Sequence, residues 1–244
     1  MRTPPIEAFI LSAGKGTRLR PYTDTMPKPM VNVWGKPILE HTVEKLHKNG
    51  VSKIIMNIFY LGDSIKNHFS NYKQPTIEFS EEEQLLDTGG GLKYARPMLS
   101  GEPLYLINGD AFWTDGKNET TLTRLSNNWD ANKMDILLLL QPVDKMTLTA
   151  GVGDYDIDEK GRAIRSLDKT GAFMFGGIRI TKPDLVYDIE ADKFSFLQIM
   201  DTAEKKGTLY GLIHDGEWHH ISTPTDLDNV NAAQPTIQSQ HTRA

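Results

Sequence analysis

The chain has 244 residues, a formal net charge of −5, 39% hydrophobic and 24% charged residues, and no cysteine. This is the composition of a soluble globular protein with one α/β domain or two small ones. It excludes disulfides, Cys-ligated zinc and thiol catalysis, and it points to the reducing cytoplasm. No basic stripe runs through this acidic chain, so nucleic acid is not expected as a partner. The run Ala8 to Leu11 is too short for a signal peptide and Ile136 to Leu140 too short to span a bilayer, so no membrane partner is expected either.

In chain order, Ala8 to Leu11 reads as a buried strand, and Pro37 to Asn49 as a helix with Leu39, Val43 and Leu46 on one face. Lys53 to Phe59 is a strand, Gly62 to Phe69 a short helix, and Thr76 to Phe79 a strand. Glu81, Glu82 and Glu83 read as a solvated face. Gly91 to Met98 starts a helix that ends near Pro97, and the strand Pro103 to Ile107 runs into Asn108-Gly109-Asp110. Further on, Asp135 to Gln141 is a central strand. Val152 to Asp158 and Ala163 to Leu167 form a hairpin about Glu159-Lys160-Gly161, and Phe173 to Ile180 is a strand. Phe196 to Lys205 is a helix, Leu209 to Ile213 a strand, and Pro224 to Ala233 a last helix. Strands alternating with helices imply a parallel, doubly wound sheet. A nucleotide-binding part over about residues 1–130 and an acceptor part over 131–233 are expected to share it as one domain, with a polar, frayed tail at 234–244.

The first strand empties into LSAGKGTRLRPYTDTMPKP, with Gly14 and Gly16 among the cations Lys15, Arg18, Arg20 and Lys28. Between Ala8 and Lys36 there are five basic residues and one acid, Asp24. Glycine lets a backbone approach a ligand, and exposed N–H groups with Lys and Arg make a seat for phosphate. A dinucleotide fingerprint is excluded because its third small residue would fall at Leu19, and no G-x-x-x-x-G-K-[ST] run exists for a P-loop. Asn108-Gly109-Asp110, at the carboxyl end of a buried strand, reads either as a simple turn or as a place where the Asp110 carboxylate can hold a hard divalent cation.

Leu11 to Pro21, with Thr23, Pro27-Lys28-Pro29 and Gly35-Lys36-Pro37, resembles the signature of sugar-1-phosphate nucleotidyltransferases. The resemblance implies a Rossmann-like three-layer α/β/α fold with a mixed, mainly parallel central sheet, of the nucleotide-diphospho-sugar transferase type. It implies that the loop Leu11, Ala13, Gly14, Lys15, Gly16 and Thr17 wraps a triphosphate, that Arg18 and Lys28 contact phosphates, and that Asp110 binds magnesium with Asn108 nearby. Leu86-Asp87-Thr88-Gly89-Gly90-Gly91, which taken alone reads equally as a helix start capped by Thr88, then resembles the base-reading loop through Thr88, Gly89 and Gly90. In this form it is most similar to N-acetylmuramate 1-phosphate uridylyltransferases, which implies UTP. Lys169 falls where the family places a lysine on the sugar phosphate, though alone it reads as a solvated lysine. Gly177 resembles a loop passing the sugar, and equally a bulge in a strand.

One motif departs from the family. Where Trp-x-Asp-x-Gly-Thr-Pro is usual, the chain has Trp218-His219-His220-Ile221-Ser222-Thr223-Pro224. His220 replaces the second metal aspartate. Magnesium prefers oxygen ligands, while imidazole suits manganese, cobalt or zinc better, so His220 is a metal ligand, a phosphate contact or a structural residue. The expected activity is transfer of a nucleotidyl group from UTP to a sugar 1-phosphate, N-acetylmuramic acid 1-phosphate first, by a monomer. The alternatives are a mannose or heptose 1-phosphate guanylyltransferase, a cytidylyltransferase, and a nucleotide-binding homologue without catalysis.

Overall fold

Runs of apolar residues form the central strands. The computed structural model describes residues 4–235, so the tail expected from Gln234 lies almost wholly outside the described residues. In chain order come β1 (Glu7–Leu11), β2 (Asn32–Val33), β3 (Lys36–Pro37), α1 (Ile38–Lys48), β4 (Lys53–Ile58), α2 (Gly62–Phe69), β5 (Thr76–Glu81) and α3 (Asp87–Ala95). They are followed by β6 (Leu104–Asn108), β7 (Phe112–Trp113), α4 (Thr121–Asn128), β8 (Ile136–Pro142), β9 (Tyr155–Ile157), β10 (Ala163–Arg165) and β11 (Phe173–Thr181). The chain continues through α5 (Leu197–Lys206), β12 (Leu209–Ile213), β13 (Trp218–His219) and α6 (Pro224–Ala232).

β1 is parallel to both β4 and β6, and β4 is parallel to β5. β11 is antiparallel to β6 and β8, β12 is parallel to β8, and the β9–β10 hairpin joins at the start of β11. The sheet is therefore mixed and mainly parallel, and strands from both halves of the chain share it. Alternation along each strand fills two cores. Ala8 and Ile10 of β1 point to the face covered by α1, α2 and α4, through Leu39, Val43, Leu46, Ile65, Phe69, Leu122 and Leu125. Phe9 points to the opposite face, covered by α3 and α5 through Leu92, Ala95, Ile199, Met200 and Ala203. Each fully buried side chain of this size stabilises the fold by roughly 1.5–3 kcal/mol.

The connection order creates the crevice. From β1 the chain steps outward to β4 and β5, then α3 crosses the other face and delivers β6 to the opposite side of β1. The strand order reverses between β1 and β6, and ligands of such sheets bind at the carboxyl ends beside that reversal. A third cluster, with Leu19, Val31, Ile38, Phe112, Ile221 and Leu227, fastens α6 and the segment before it onto the loop after β1.

Several boundaries differ from the sequence expectation. α3 begins at Asp87, four residues before Gly91, because a carbonyl from a distant segment holds its glycine turn (below). The strand through residue 167 stops at Arg165, leaving Leu167 80% exposed. Helix α4 was not expected, although Thr120 caps it by accepting the Thr123 N–H at 3.1 Å. The ladders β2–β3 and β7–β13 were also unexpected, being too short to show periodicity.

Candidate active site

The glycine loop leaves β1 under tight restraint. The Ser12 N–H donates to Asn57 Oδ1 at 2.7 Å. Gly16 has φ +60°, and a Cβ there would lie 2.8 Å from Lys28 Cβ, so both the turn and the close approach require glycine. Thr23 Oγ1 donates to Gly16 O at 2.8 Å and closes the loop. At Gly14 a Cβ would meet nothing within 4 Å, so packing within the protein does not demand glycine there. Leu11, Ala13, Gly14, Gly16, Thr17 and Arg18 line a cavity of about 510 Å³. Arg18 has no ion pair or hydrogen bond among the described residues. Lys15 is exposed and outside the cavity wall.

The Pro27-Lys28-Pro29 turn and the end of β6 bring opposite charges to this cavity. The Gly109 N–H donates to Leu11 O at 2.9 Å, and a Cβ at Gly109 would sit 2.8 Å from the same oxygen, so the ends of β1 and β6 close on each other. Asp110 follows, and its Oδ2 lies 2.6 Å from Lys28 Nζ. Lys28 is buried, 8% exposed. Burial pushes the Asp110 carboxyl up, but the Lys28 ammonium outweighs it and holds the group below the usual carboxylate range.

The β7–β13 ladder decides the place of the two histidines. It pairs Trp218 with Trp113 and His219 with Phe112, so His220 arrives beside the segment of Asp110. His219 is buried, its ring 5.7 Å from that of Phe112, and is a packing residue. His220 is half-buried, its N–H donates to Thr149 Oγ1 at 2.9 Å, and it senses the charges of Lys28, Asp110 and Arg18. Burial pushes its imidazole down, with Lys28 and Arg18 acting in the same direction, so it is neutral at neutral pH. Ser222 lines the cavity just beyond, before the Thr223–Asp226 capping box of α6.

The glycines after Thr88 have a different task from the expected one. Thr88 lines the cavity, inside the first turn of α3 rather than as its cap. Gly89 and Gly90 are buried off the cavity wall, and both N–H groups donate to Phe194 O, at 2.9 and 3.0 Å. A Cβ at Gly89 would lie 2.3 Å from the Phe194 ring and one at Gly90 2.2 Å from Asp192 O. The glycines thus let the 192–194 segment dock on α3, and their amides are already engaged. The acidic run is corrected too. Glu81 and Glu83 are exposed, but Glu82 is 6% exposed, its oxygens accepting from Asn57 Nδ2 at 2.6 Å and from the Leu86 N–H at 3.1 Å. Ser12, Asn57, Glu82 and Leu86 form one hydrogen-bonded chain that couples the glycine loop to the start of α3. Burial pushes the Glu82 carboxyl up, against both hydrogen bonds.

A second cavity of about 230 Å³ adjoins the first, since Thr88 and Asn108 line both. Lys169 lies on its wall with φ +65°, its Nζ 2.7 Å from Asp154 Oδ1. Gly177 has φ +71° within a register shift of β11, and a Cβ there would come within 3.0 Å of Asn108, so it sets the position of that side chain. Of the two readings of Gly177 the structure has the strand bulge; Gly177 lines neither cavity, and its close neighbour is the Asn108 side chain.

A divalent cation at the Lys28 corner would find one carboxylate, Asp110, and one neutral imidazole, His220. Among the described residues no group of three or more His, Cys, Asp or Glu side chains converges to cage a metal. The set fits a Mg²⁺ that takes most of its oxygens from a triphosphate and water, with Asp110 supplying one.

Sequence reasoning missed Asn57, Asp87, Lys193 and Ser222 of the first cavity and Tyr155, Arg165 and Arg179 of the second. Asn57 and Arg179 carried a usable signal, a lone polar residue inside an apolar strand. Lys193 carried none.

The family model for Nucleotidyl transferase matches residues 7–167, and the chain belongs to that family. It is 28% identical to N-acetylmuramate alpha-1-phosphate uridylyltransferase of Caulobacter vibrioides, over 92% of this chain and 95% of that protein. It is 30% identical to D-glycero-alpha-D-manno-heptose 1-phosphate guanylyltransferase of Aneurinibacillus thermoaerophilus, over 96% and 99%. The crystal structure of HddC from Yersinia pseudotuberculosis complexed with GMP-PN superposes with a TM-score of 0.75 at 26% identity, covering 93% of this chain and 98% of that one. Within the family, the chain is a sugar-1-phosphate nucleotidyltransferase with the nucleotide-diphospho-sugar transferase fold. No helix among the described residues is long and apolar enough to cross a membrane.

Proposed function

We propose that the chain transfers the uridylyl group of UTP to N-acetylmuramic acid 1-phosphate, releasing pyrophosphate. The observation that carries the transfer chemistry is the convergence of Arg18, the buried Lys28 and Asp110 on one cavity at the strand-order reversal. Uridine is supported by the resemblance of the Asp87-Thr88 run, whose two residues line the cavity, and the sugar by the 28% identical N-acetylmuramate relative. The guanylyltransferase relative at 30% identity supplies the alternative base.

The nucleophile is a phosphate oxygen of the sugar, ionised at neutral pH, so the reaction needs no general base. Its lone pair forms the bond to the α-phosphorus, and the α–β bridging oxygen leaves with the electron pair in pyrophosphate. The barrier is electrostatic, because two polyanions must align. Arg18 and Lys28 neutralise the triphosphate, and the bare backbone of Gly14 leaves room for it. A bound Mg²⁺, or Mn²⁺ or Co²⁺ given His220, would supply further charge neutralisation from Asp110.

The test is pyrophosphate release from UTP and N-acetylmuramic acid 1-phosphate under Mg²⁺, Mn²⁺ or Co²⁺, run beside GTP, CTP and dTTP. Faster turnover with GTP would replace uridine by guanine. Nucleotide binding without pyrophosphate under every metal would reduce the chain to a binding protein.

A further inference from the structure

Arg179 projects from the middle of β11 into the second cavity, and it is 2% exposed. It makes no hydrogen bond or ion pair with any described residue, and its Nε is buried without a partner. The guanidinium lies between the rings of Phe175 and Phe196, 5.2 and 4.5 Å from their centroids, which fixes it and offsets part of its desolvation. Burial pushes it down to about 9, which leaves it charged at neutral pH. The other two cations of the cavity are neutralised. Lys169 pairs with Asp154, and Arg165 reaches both oxygens of Asp201 at 2.8 and 2.9 Å. A buried unpaired charge costs several kcal/mol, so the cavity lacks an anion. Two further groups on its wall are buried and unpartnered, the Tyr155 hydroxyl and Asn108 Oδ1.

We infer that Arg179 receives a carboxylate carried by the sugar ring, remote from its anomeric phosphate, and so selects acidic sugar 1-phosphates. This rests on the transferase reading above. The anomeric phosphate must reach the cavity of Arg18, Lys28 and Asp110, so the anion that meets Arg179 is a second group of the same molecule. Asn108, on the wall of both cavities, lies between the two anionic ends. A planar carboxylate matches the guanidinium fork, and the Tyr155 hydroxyl supplies a further donor. Asn108 Oδ1 is left to accept from a hydroxyl or amide of the ring.

The experiment compares kcat/KM for N-acetylmuramic acid 1-phosphate and N-acetylglucosamine 1-phosphate, the same ring with a free 3-hydroxyl in place of the lactyl ether that carries the carboxylate. The nucleotide is whichever of UTP, GTP, CTP or dTTP the wild type uses best, so a wrong base does not affect the result. The wild type should prefer the acid by about thirtyfold or more, the range of a charge-assisted hydrogen bond. Arg179→Met should lose that preference, and Arg179→Lys should recover part of it. Removing an unpaired buried charge should leave the Tm of Arg179→Met at or above wild type. A wild-type ratio near one overturns the inference, as does an equal loss for both sugars in Arg179→Met. A preference for glucose 1,6-bisphosphate over glucose 1-phosphate that Arg179→Met abolishes would put a phosphate there instead. No turnover of either sugar with any nucleotide would refute the transferase reading and the inference together.

Discussion

Replacing Lys28 by Met removes a buried cation from the wall of the proposed triphosphate cavity while keeping most of the volume of its stem. Lys28 is 8% exposed, and its Nζ lies 2.6 Å from Asp110 Oδ2, whose side chain is 39% exposed. Fully buried pairs lose about 3–5 kcal/mol when one partner is removed, and exposed pairs contribute up to about 1 kcal/mol. With one buried and one partly exposed partner, the expected loss of stability is about 1–2 kcal/mol, which lowers Tm by about 3–6 °C in a domain of this size. Asp110 then keeps the burial that raises its pKa and loses the charge that lowers it, so its carboxyl moves up. Catalysis should suffer more than stability. Loss of a contact to the developing charge should lower kcat/KM at least tenfold, about 1.4 kcal/mol or more, read as initial pyrophosphate release at saturating metal. Near-wild-type kcat/KM in a folded Lys28→Met protein would refute the assignment of Lys28 to the triphosphate.

Three further outcomes are expected. His220→Asp should keep or raise magnesium-dependent activity, because a second carboxylate suits magnesium better than a neutral imidazole; a collapse of activity with an unchanged circular-dichroism spectrum would show a specific role for the imidazole. Gly90→Ala places a Cβ 2.2 Å from Asp192 O and should cost about 1–3 kcal/mol, lower Tm and raise KM for the nucleotide as the 192–194 segment lifts from the start of α3; an unchanged melting curve would contradict that docking. The folded-state pKa of Glu82 is raised, so its stabilising contribution is complete below the unfolded-state value and is lost as pH rises through the folded-state value. The Tm of wild type minus that of Glu82→Gln should therefore fall as pH rises from about 4.5 through the weakly acidic range, and a flat difference would show Glu82 titrating as an ordinary exposed carboxylate.

The sequence by itself singled out the glycine loop with the cations Arg18 and Lys28, which the structure gathers on one cavity, because that group is local. Gly14, Gly16, Arg18 and Lys28 sit within fifteen residues of each other, and steric and charge demands act directly on residue type. It also determined the strands that the sheet buries on both faces, whose continuous apolar runs leave little room for another reading. Only the tertiary structure decided the rest, because it depends on which distant segments meet. The glycines after Thr88 read as a ligand loop, yet their amides serve Phe194, more than a hundred residues away in the chain. Glu82 belongs to a charged run, yet just past the end of β5 its N–H is held by Ile58 O and its side chain meets Asn57. His219 and His220 are indistinguishable as neighbours, and the two-residue ladder with Phe112 and Trp113 sends one into the core and the other toward Asp110. The lone charge of Arg179 acquires meaning only once folding brings Phe175, Phe196 and Tyr155 around it and brings no carboxylate to it among the described residues.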